Sequence, residues 1–448
     1  MPMSEAFSRR LRPVLRDAVE HFGTPFHLYD EQGISDTCAY FNETFAGLPF
    51  REYFAVKALP NPSILEIVRG HGFGFDCSSL PEIDLAGRVG ARAHDIFFTS
   101  NNTSREELAA AAERSALINI DDRAVLEKLA DLVDGDHPVD TLSLRVNPGE
   151  APSENVFLGS PQDAKFGIPT HRLTEAVIRA GELGVQHLGL HMMVASNVLR
   201  VAPIVRTLEI LLRHATMIRE RTGVTVEFLN LGGGIGIPYR PEDPPFDLAA
   251  LGRELRTALT GWARAQRTEI PRLCFESGRY ITGPHGVLVT RVVNRMSKWR
   301  EYVGVDASMS SLMRPGLYAG AYHHISAPWV PDGPSRTVDV VGSLCENNDK
   351  FGTDRELPEL TEGDTLLIHD TGAHGHAMGF TYNGRLRPKE LLLRSDGSVQ
   401  LIRRAEEQER DHFSTLVFPP DGLPARPQPH SHPHHRRAAG SLHEATLR

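Results

Sequence analysis

Eight short runs of apolar and β-branched residues alternate with amphipathic stretches, and this alternation restricts the fold more than any other feature of the chain. Within the amphipathic stretches, apolar residues recur every three or four positions, which is typical of helices that bury one face. Eight strand–helix units over about 240 residues match the size of a closed parallel barrel. We therefore predict an α/β protein with a (β/α)8 TIM-like barrel; an open doubly wound sheet is the alternative. The predicted strands are Glu52–Ala58, Gly74–Ser78, Asp95–Thr99, Ala116–Ile120, Thr141–Val146, Gln186–Met193, Thr225–Asn230 and Arg272–Glu276.

The last third of the chain has a different pattern, which predicts a second domain. Strand-like segments separated by turns replace the helical patterns, and this indicates a mainly antiparallel β domain at the C-terminal side. We predict that the barrel spans residues 35–284 and the β domain residues 285–417. An N-terminal segment, residues 1–34, contains one strand-like run that is expected to join the β domain. Residues 418–448 are rich in Pro, His and Arg without periodicity, which predicts a disordered tail.

Composition excludes several classes of protein. The net charge is −9, so a nucleic-acid-binding surface is not expected. No apolar stretch reaches the roughly 18 residues that span a bilayer, and the N-terminus lacks the apolar core of a signal peptide. We therefore expect no membrane partner and a cytoplasmic location. The cysteines show neither CxxC pairing nor metal-finger spacing, so neither a disulfide framework nor a metal site is predicted; they are Cys38, Cys77, Cys274 and Cys345.

Polar side chains stand at the carboxyl ends of most predicted barrel strands. A single polar residue in such a place is usually structural, but these positions meet at one rim of a barrel, where catalytic residues collect. The recurrence therefore favours a functional site at this rim. The residues concerned are Lys57, Asp76, Arg145, Asn147, His191, Ser196, Glu276 and Arg279.

Two parts of this rim suggest a particular chemistry. Glycines after a strand let backbone N–H groups approach an anion closely, so a phosphate cradle is expected there. A lysine in a partly apolar pocket near cations has a depressed pKa and forms Schiff bases; Lys57 is the candidate, and Glu276 could keep a heterocyclic nitrogen protonated. Together these features predict a pyridoxal 5′-phosphate site. The cradle comprises Gly232, Gly233, Gly234, Ser196 and Arg279.

Ordered motifs between residues 20 and 405 resemble those of the barrel-type, alanine-racemase-like (fold type III) pyridoxal phosphate decarboxylases, and most of all the diaminopimelate decarboxylases. The resemblance implies a carboxy-lyase of lysine biosynthesis that converts meso-diaminopimelate to L-lysine and CO2. The motifs are YFAVKALPNPSIL, FDCSSLPEI, LNLGGGIGI, FESGRYITG, SLMRPGLY, VGSLCENNDKFG and DTGAHGHAMGFTYNGRLRPKELLL.

The same resemblance assigns roles to individual residues. It places the cofactor on Lys57 and makes Cys345 the catalytic proton donor to a neighbouring subunit, which implies a homodimer with shared active sites. The implied cofactor-binding residues are Lys57, Asp76, Arg145, His191, Met193, Ser196, Gly232, Gly233, Gly234, Glu276, Gly278, Arg279 and His374. The implied substrate-binding residues are Arg279, Arg314, Tyr318 and Glu346.

Several positions depart from the family pattern. Met193 replaces a histidine that stacks on the cofactor, His374 replaces a phosphate-binding tyrosine, and Ser277 replaces a proline. Asn347 and Asn348 replace a serine and a glycine. Because of these changes, a related decarboxylase acting on another amino acid or conjugate, in siderophore or natural-product synthesis, is an alternative. A racemase of the same fold and a non-catalytic cofactor-binding protein are further alternatives.

Overall fold

The computed structural model of the protein describes most of the chain. The described ranges are residues 3–133, 139–149, 160–193, 195–331 and 333–417. The tail predicted at residues 418–448 lies outside them. Within the described ranges, none of the helices combines the length and the apolar character that a membrane crossing requires.

Strands and helices alternate through the first part of the chain, and strands dominate the rest. The strands are β1 (Phe26–Asp30), β2 (Phe50–Ala55), β3 (Gly74–Cys77), β4 (Ile96–Phe98), β5 (Leu117–Ile120), β6 (Thr141–Asn147), β7 (Ile168–Pro169), β8 (His187–His191), β9 (Val226–Asn230), β10 (Arg272–Phe275), β11 (Gly286–Ser297), β12 (Glu301–Val305), β13 (Ile325–Ser326), β14 (Ser335–Val341), β15 (Lys350–Pro358), β16 (Thr365–Ile368), β17 (Lys389–Leu393) and β18 (Val399–Arg403). The α-helices are α1 (Glu5–Phe22), α2 (Glu31–Phe45), α3 (Pro62–Gly70), α4 (Leu80–Arg88), α5 (Arg105–Glu113), α6 (Arg123–Val133), α7 (Leu173–Glu182), α8 (Ala202–Thr222), α9 (Leu248–Gln266), α10 (Arg279–Thr282) and α11 (Arg314–Leu317).

A closed parallel barrel forms the first sheet. Its strands follow the order β2-β3-β4-β5-β6-β8-β9-β10, and β10 pairs with β2 to close the ring. This arrangement confirms the predicted (β/α)8 barrel and rules out the open-sheet alternative. One predicted strand is too long at its end: β2 stops at Ala55, and Lys57 lies in a short 3-10 turn, Val56–Ala58. The apolar residues on both sides of Lys57 made this turn look like strand.

An aromatic cluster fixes β2 and β10 against helix α2. Phe45 of α2 lies 4.6 Å from Phe50 and 5.4 Å from Phe275, measured between ring centroids. Phe41, one helical turn earlier, contacts the same rings. Each fully buried phenylalanine stabilises the fold by about 1.5–3 kcal/mol. Because Glu276 follows Phe275 directly, this cluster also holds that carboxylate at the barrel rim.

The second sheet is mixed but mainly antiparallel, as predicted. Its main path is β15-β14-β12-β11-β1-β17-β18, and β16 pairs with both β11 and β13. Strand β1 precedes the barrel in sequence, yet it lies between β11 and β17, antiparallel to the first and parallel to the second. The chain therefore contributes β1 to the β sheet, then forms the barrel, and then returns to the same sheet.

A buried carboxylate connects the β sheet to the barrel segment that carries Lys57. Glu390 of β17 accepts hydrogen bonds from the Tyr29 hydroxyl at 2.6 Å, from Asn61 Nδ2 at 3.0 Å, and from Arg403. Burial alone would raise the pKa of Glu390, but His376 and Arg403 lower it to about 2. The ionised Glu390 thereby holds Asn61, four residues after Lys57, against the β sheet.

Candidate active site

A cavity of about 550 Å³ lies at the carboxyl ends of the barrel strands. This is the rim where the sequence predicts the site, and the cavity is within the usual size range of small-molecule sites. Twelve of the predicted residues line it: Lys57, Arg145, Asn147, His191, Met193, Ser196, Gly233, Gly234, Glu276, Gly278, Arg279 and His374.

Lys57 forms an ion pair at the wall of this cavity. Its Nζ lies 2.7 Å from Oδ2 of Asp76, which is fully buried in β3. Strands β2 and β3 pair with Ala55 opposite Asp76, so the turn after β2 carries Lys57 past that carboxylate. The Lys57 side chain retains 48% of its accessible surface because it projects into the cavity. The amine is therefore both anchored and reachable.

The pKa of Lys57 is raised, so the predicted depression is wrong for this state of the protein. Burial lowers the pKa of Lys57, but the carboxylates of Asp76 and Glu276 outweigh burial and raise it above its ordinary value. Burial and Glu276 likewise raise the pKa of Asp76, against the opposing effect of the Lys57 ammonium. Lys57 must therefore lose a proton before its amine can attack a carbonyl group.

Replacing Asp76 with asparagine is expected to lower the pKa of Lys57, because burial then acts against one fewer carboxylate. Loss of one close opposite charge shifts a pKa by about 1–3 units. In Asp76→Asn, the rate at which cofactor-free protein takes up pyridoxal phosphate should reach half its maximum at a pH lower by that amount. The control is Asp84→Asn on α4, where Asp84 forms an exposed ion pair with Arg114; it should leave the profile unchanged. An unshifted profile in Asp76→Asn would contradict the assigned cause.

Glu276 is a second buried carboxylate, and it lines the cavity. Thr99 Oγ1 and Asn230 Nδ2 donate to its Oε1 at 3.2 and 2.9 Å, and His191 Nε2 lies 3.2 Å from Oε2. Burial alone would raise the pKa of Glu276, but His191, Lys57 and Arg145 lower it to about 2. Glu276 is thus a fixed negative charge across the physiological pH range.

The glycine segment after β9 packs so closely on neighbouring backbone that a side chain would not fit there. A Cβ on Gly233 would lie 2.6 Å from the Glu276 carbonyl oxygen, and a Cβ on Gly234 would lie 2.6 Å from the Ala195 carbonyl oxygen. Gly234 also has a φ of +104°, which other residues rarely adopt. Gly278, at the start of α10, packs as closely on Ala58. Gly233, Gly234 and Gly278 therefore line the cavity without side chains.

Two residues that depart from the family pattern also face the cavity. Met193 follows β8 and packs its sulfur against Gly232, where an added Cβ would lie 2.9 Å away. His374 adopts a φ of +55° and donates its backbone N–H to the Ala58 carbonyl at 2.8 Å. Burial and the cations of Arg279 and Lys57 lower the pKa of His374 well below its usual value, so its ring is neutral.

Tyr239 joins two of the predicted substrate-binding arginines. Arg279 donates to the Tyr239 hydroxyl, and the guanidinium carbon of Arg314 lies 3.8 Å from the centroid of the Tyr239 ring. Arg314 is buried and also donates to the Tyr322 carbonyl at 3.2 Å. The two guanidiniums, from the barrel and the β domain, thus lie on one aromatic side chain next to the cavity.

Six predicted residues lie outside the lining of this cavity: Asp76, Gly232 and Arg314, described above, and Tyr318, Cys345 and Glu346. Cys345 and Glu346 follow β14 and are exposed on the surface, where the Cys345 N–H donates to Asn383 Oδ1 at 2.7 Å. Tyr318 lines a second cavity beside α11. The roles of these residues, including proton donation by Cys345 to a neighbouring subunit, stay predictions.

Sequence reasoning missed several residues that hold the site together. Asp121 pairs with Arg145 at 3.1 Å and also accepts the Gly167 N–H at 3.2 Å. Asn230 donates to Glu276 and, through Oδ1, accepts the Gly232 N–H at 2.8 Å. Its place directly before LGGG was a usable signal, whereas nothing in the sequence pointed to Tyr239, which lies on a long loop after β9.

The family model of the pyridoxal-dependent decarboxylase, pyridoxal binding domain, matches residues 31–283. The chain belongs to this family of decarboxylases. Protein TabA of Pseudomonas amygdali pv. tabaci is 48% identical to this decarboxylase over 94% of this chain and 97% of its own length. The diaminopimelate decarboxylase of Methanothermobacter thermautotrophicus is 36% identical over 90% and 93%. Among solved structures, diaminopimelate decarboxylase of M. jannaschii in co-complex with L-lysine has a TM-score of 0.83 at 28% identity, covering 90% and 94%.

These matches confirm the predicted family, cofactor and reaction class, and the geometry of the cavity fits the cofactor. The amine of Lys57 is reachable, the glycine backbone is bare, and Glu276 is an ionised partner for a ring nitrogen. Asp76 Oδ1 and His191 Nδ1 are also among the buried polar atoms of the described residues that lack a hydrogen-bond partner. Such atoms are costly unless a bound group satisfies them. This decarboxylase therefore has the donor set that pyridoxal phosphate requires.

Proposed function

We propose that this decarboxylase converts meso-diaminopimelate to L-lysine and CO2. The observation that supports this substrate is the placement of Arg279 and Arg314 on Tyr239 beside the cofactor cavity. A paired guanidinium site suits a planar carboxylate. Diaminopimelate carries a second carboxylate remote from the reacting carbon, which lysine and ornithine lack. A screen of amino acids for released CO2 tests the assignment directly.

Within this proposal, different residues of the cavity bind different parts of the cofactor. Bound pyridoxal phosphate supplies an electron sink for the bond that breaks at Cα. Lys57 would attach it, Gly232–Gly234 and Arg279 would hold its phosphate, and the ionised Glu276 would keep its ring nitrogen protonated. Met193 would pack on the ring face, where a methionine supplies contact but neither a proton nor a charge.

We further propose that Cys345 and Glu346 act in the cavity of a neighbouring subunit, in a homodimer. Both side chains are exposed and neither lines the cavity of its own chain, which supports this placement. In the proposed dimer, the Cys345 thiol donates a proton to Cα once CO2 has left. The Glu346 carboxylate accepts the remote ammonium group of the substrate.

A related decarboxylase of another amino acid or conjugate, in siderophore or natural-product synthesis, is the second candidate. The identity to Protein TabA, 48%, exceeds the 36% identity to the archaeal diaminopimelate decarboxylase. Met193 at the cavity, together with Asn347 and Asn348 beside Cys345, also departs from the diaminopimelate decarboxylase pattern. If a larger amino acid is decarboxylated faster than diaminopimelate, the second candidate is correct.

Removing Arg314 is expected to reduce the preference for substrates that carry a remote carboxylate. A charge-assisted hydrogen bond contributes about 1.5–3 kcal/mol, so Arg314→Ala should lower kcat/KM for diaminopimelate about ten- to a hundredfold. The measurement is kcat/KM for diaminopimelate and for lysine in each variant. Arg336→Ala, at an exposed position on β14, serves as the matched control. Unchanged selectivity in Arg314→Ala would contradict the proposed contact between Arg314 and the remote carboxylate.

A further inference from the structure

A second cavity, of about 520 Å³, lies beside helix α11, and the described residues that line it include basic side chains but no acidic ones. Among the described residues, its lining includes three basic side chains and neither Asp nor Glu. The basic side chains are Arg240, Lys350 and Arg355. Lys350 has a counter-ion outside the lining, since its Nζ lies 3.1 Å from Asp339. Neither arginine has a counter-ion among the residues that the structure describes.

Arg240 and Arg355 lie on the aromatic ring of Tyr322. Their guanidinium carbons are 4.6 and 3.7 Å from its centroid. In the part of the chain that the structure describes, each donates only to a backbone carbonyl, of Gly320 at 3.3 Å and of His323 at 3.4 Å. The Nε of Arg355 is buried without a hydrogen-bond partner. Two like charges on one ring, with donors to spare, favour the binding of an anion.

Tyr322 connects this cavity to Arg314, the residue proposed to bind the remote carboxylate of the substrate. The Tyr322 carbonyl accepts a hydrogen bond from Arg314 at 3.2 Å, and Arg240 and Arg355 lie on the Tyr322 ring. Tyr318, predicted to contact the substrate, also lines the second cavity. Tyr322 therefore contacts both Arg314 and the two arginines of the second cavity.

We infer that the second cavity is an anion subsite for a carboxylate-bearing extension of the substrate. This inference rests on the proposed function, because it places the extension beyond the carboxylate held by Arg314. The cavity volume is within the range of small-molecule sites, and a guanidinium fork matches a carboxylate. An acyl group on the remote amine of diaminopimelate supplies such an extension and keeps one N–H for Glu346 to accept.

The kinetic test compares two amides of diaminopimelate acylated on the remote amine. The glutaryl amide carries a terminal carboxylate, whereas the pentanoyl amide has the same chain length and no charge. In the wild-type holoenzyme, kcat/KM should favour the glutaryl amide by about ten- to a hundredfold, and Arg355→Gln and Arg240→Gln should each reduce that ratio. Arg336→Gln should retain it. An equal preference for both amides in the wild type overturns the inference.

A binding test keeps this inference separate from the proposed substrate. Glutarate is titrated into the holoenzyme by calorimetry; it should bind the wild type, and binding should weaken at least tenfold in the Arg240→Gln, Arg355→Gln double variant. This result is expected even if no diaminopimelate derivative is decarboxylated, in which case the proposed function alone fails. Unchanged glutarate binding in the double variant overturns the subsite. Loss of the dimer in that variant also overturns it, because carboxylates of a second copy would then fill the cavity.

Discussion

Lys57→Ala is expected to lose covalent attachment of pyridoxal phosphate and to lower kcat by about 10³-fold or more, as removal of a covalent catalytic group generally does. The structure supports a large effect because Lys57 is the one amine among the described residues that line the cofactor cavity. Its position is also tightly defined, by the ion pair with Asp76 at 2.7 Å and by the turn that follows β2.

The measurement combines turnover with the absorbance of the bound cofactor. Reduction of the holoenzyme with borohydride should fix the cofactor to the peptide that contains Lys57, and mass spectrometry identifies that peptide. Lys165→Ala is the matched control, because Lys165 lies near the cavity mouth with its Nζ 5.2 Å from the Phe166 ring. If Lys57→Ala keeps both the cofactor band and turnover, the assignment of Lys57 is wrong.

The barrel was predictable because its evidence is local and repeated. Each predicted strand overlaps an observed one, since β-branched runs and helical periodicity are set within short windows of sequence. The rim site followed from the same pattern, since parallel strands bring their carboxyl ends together. Lys57 and Glu276, about 220 positions apart in sequence, could therefore be assigned to one cavity.

Features that depend on contacts between distant segments were not predictable. The raised pKa of Lys57 depends on the register that places Asp76 beside it, and the sequence does not specify that register. The position of Arg314 depends on Tyr239, which the barrel contributes from a loop. The resemblance to the family identified Arg314 as a candidate, but only the packing of the two domains shows which aromatic ring supports it.

The proposed shared active site leads to the second prediction, which concerns two inactive variants. Lys57→Ala and Cys345→Ala should each lose most activity, since loss of a positioned proton donor costs about 10²–10⁴-fold. If Cys345 serves the neighbouring cavity, a hybrid dimer has one cavity with both lesions and one with neither. Equal mixing makes half of the dimers hybrid, so about one quarter of the wild-type activity should return.

Subunit mixing needs a control that separates shared sites from simple stabilisation. Lys57→Ala mixed with Glu276→Ala provides it, because both lesions lie in the cavity of their own chain and every hybrid cavity remains damaged. Exchange is verified by isolating hybrids with two different affinity tags. Recovery in the first mixture but not in the second requires Cys345 to act across the interface, consistent with its exposed position outside its own cavity. Absence of recovery despite verified exchange would contradict the shared site, and a Cys345→Ala variant that keeps its activity would leave Cys345 without a catalytic role.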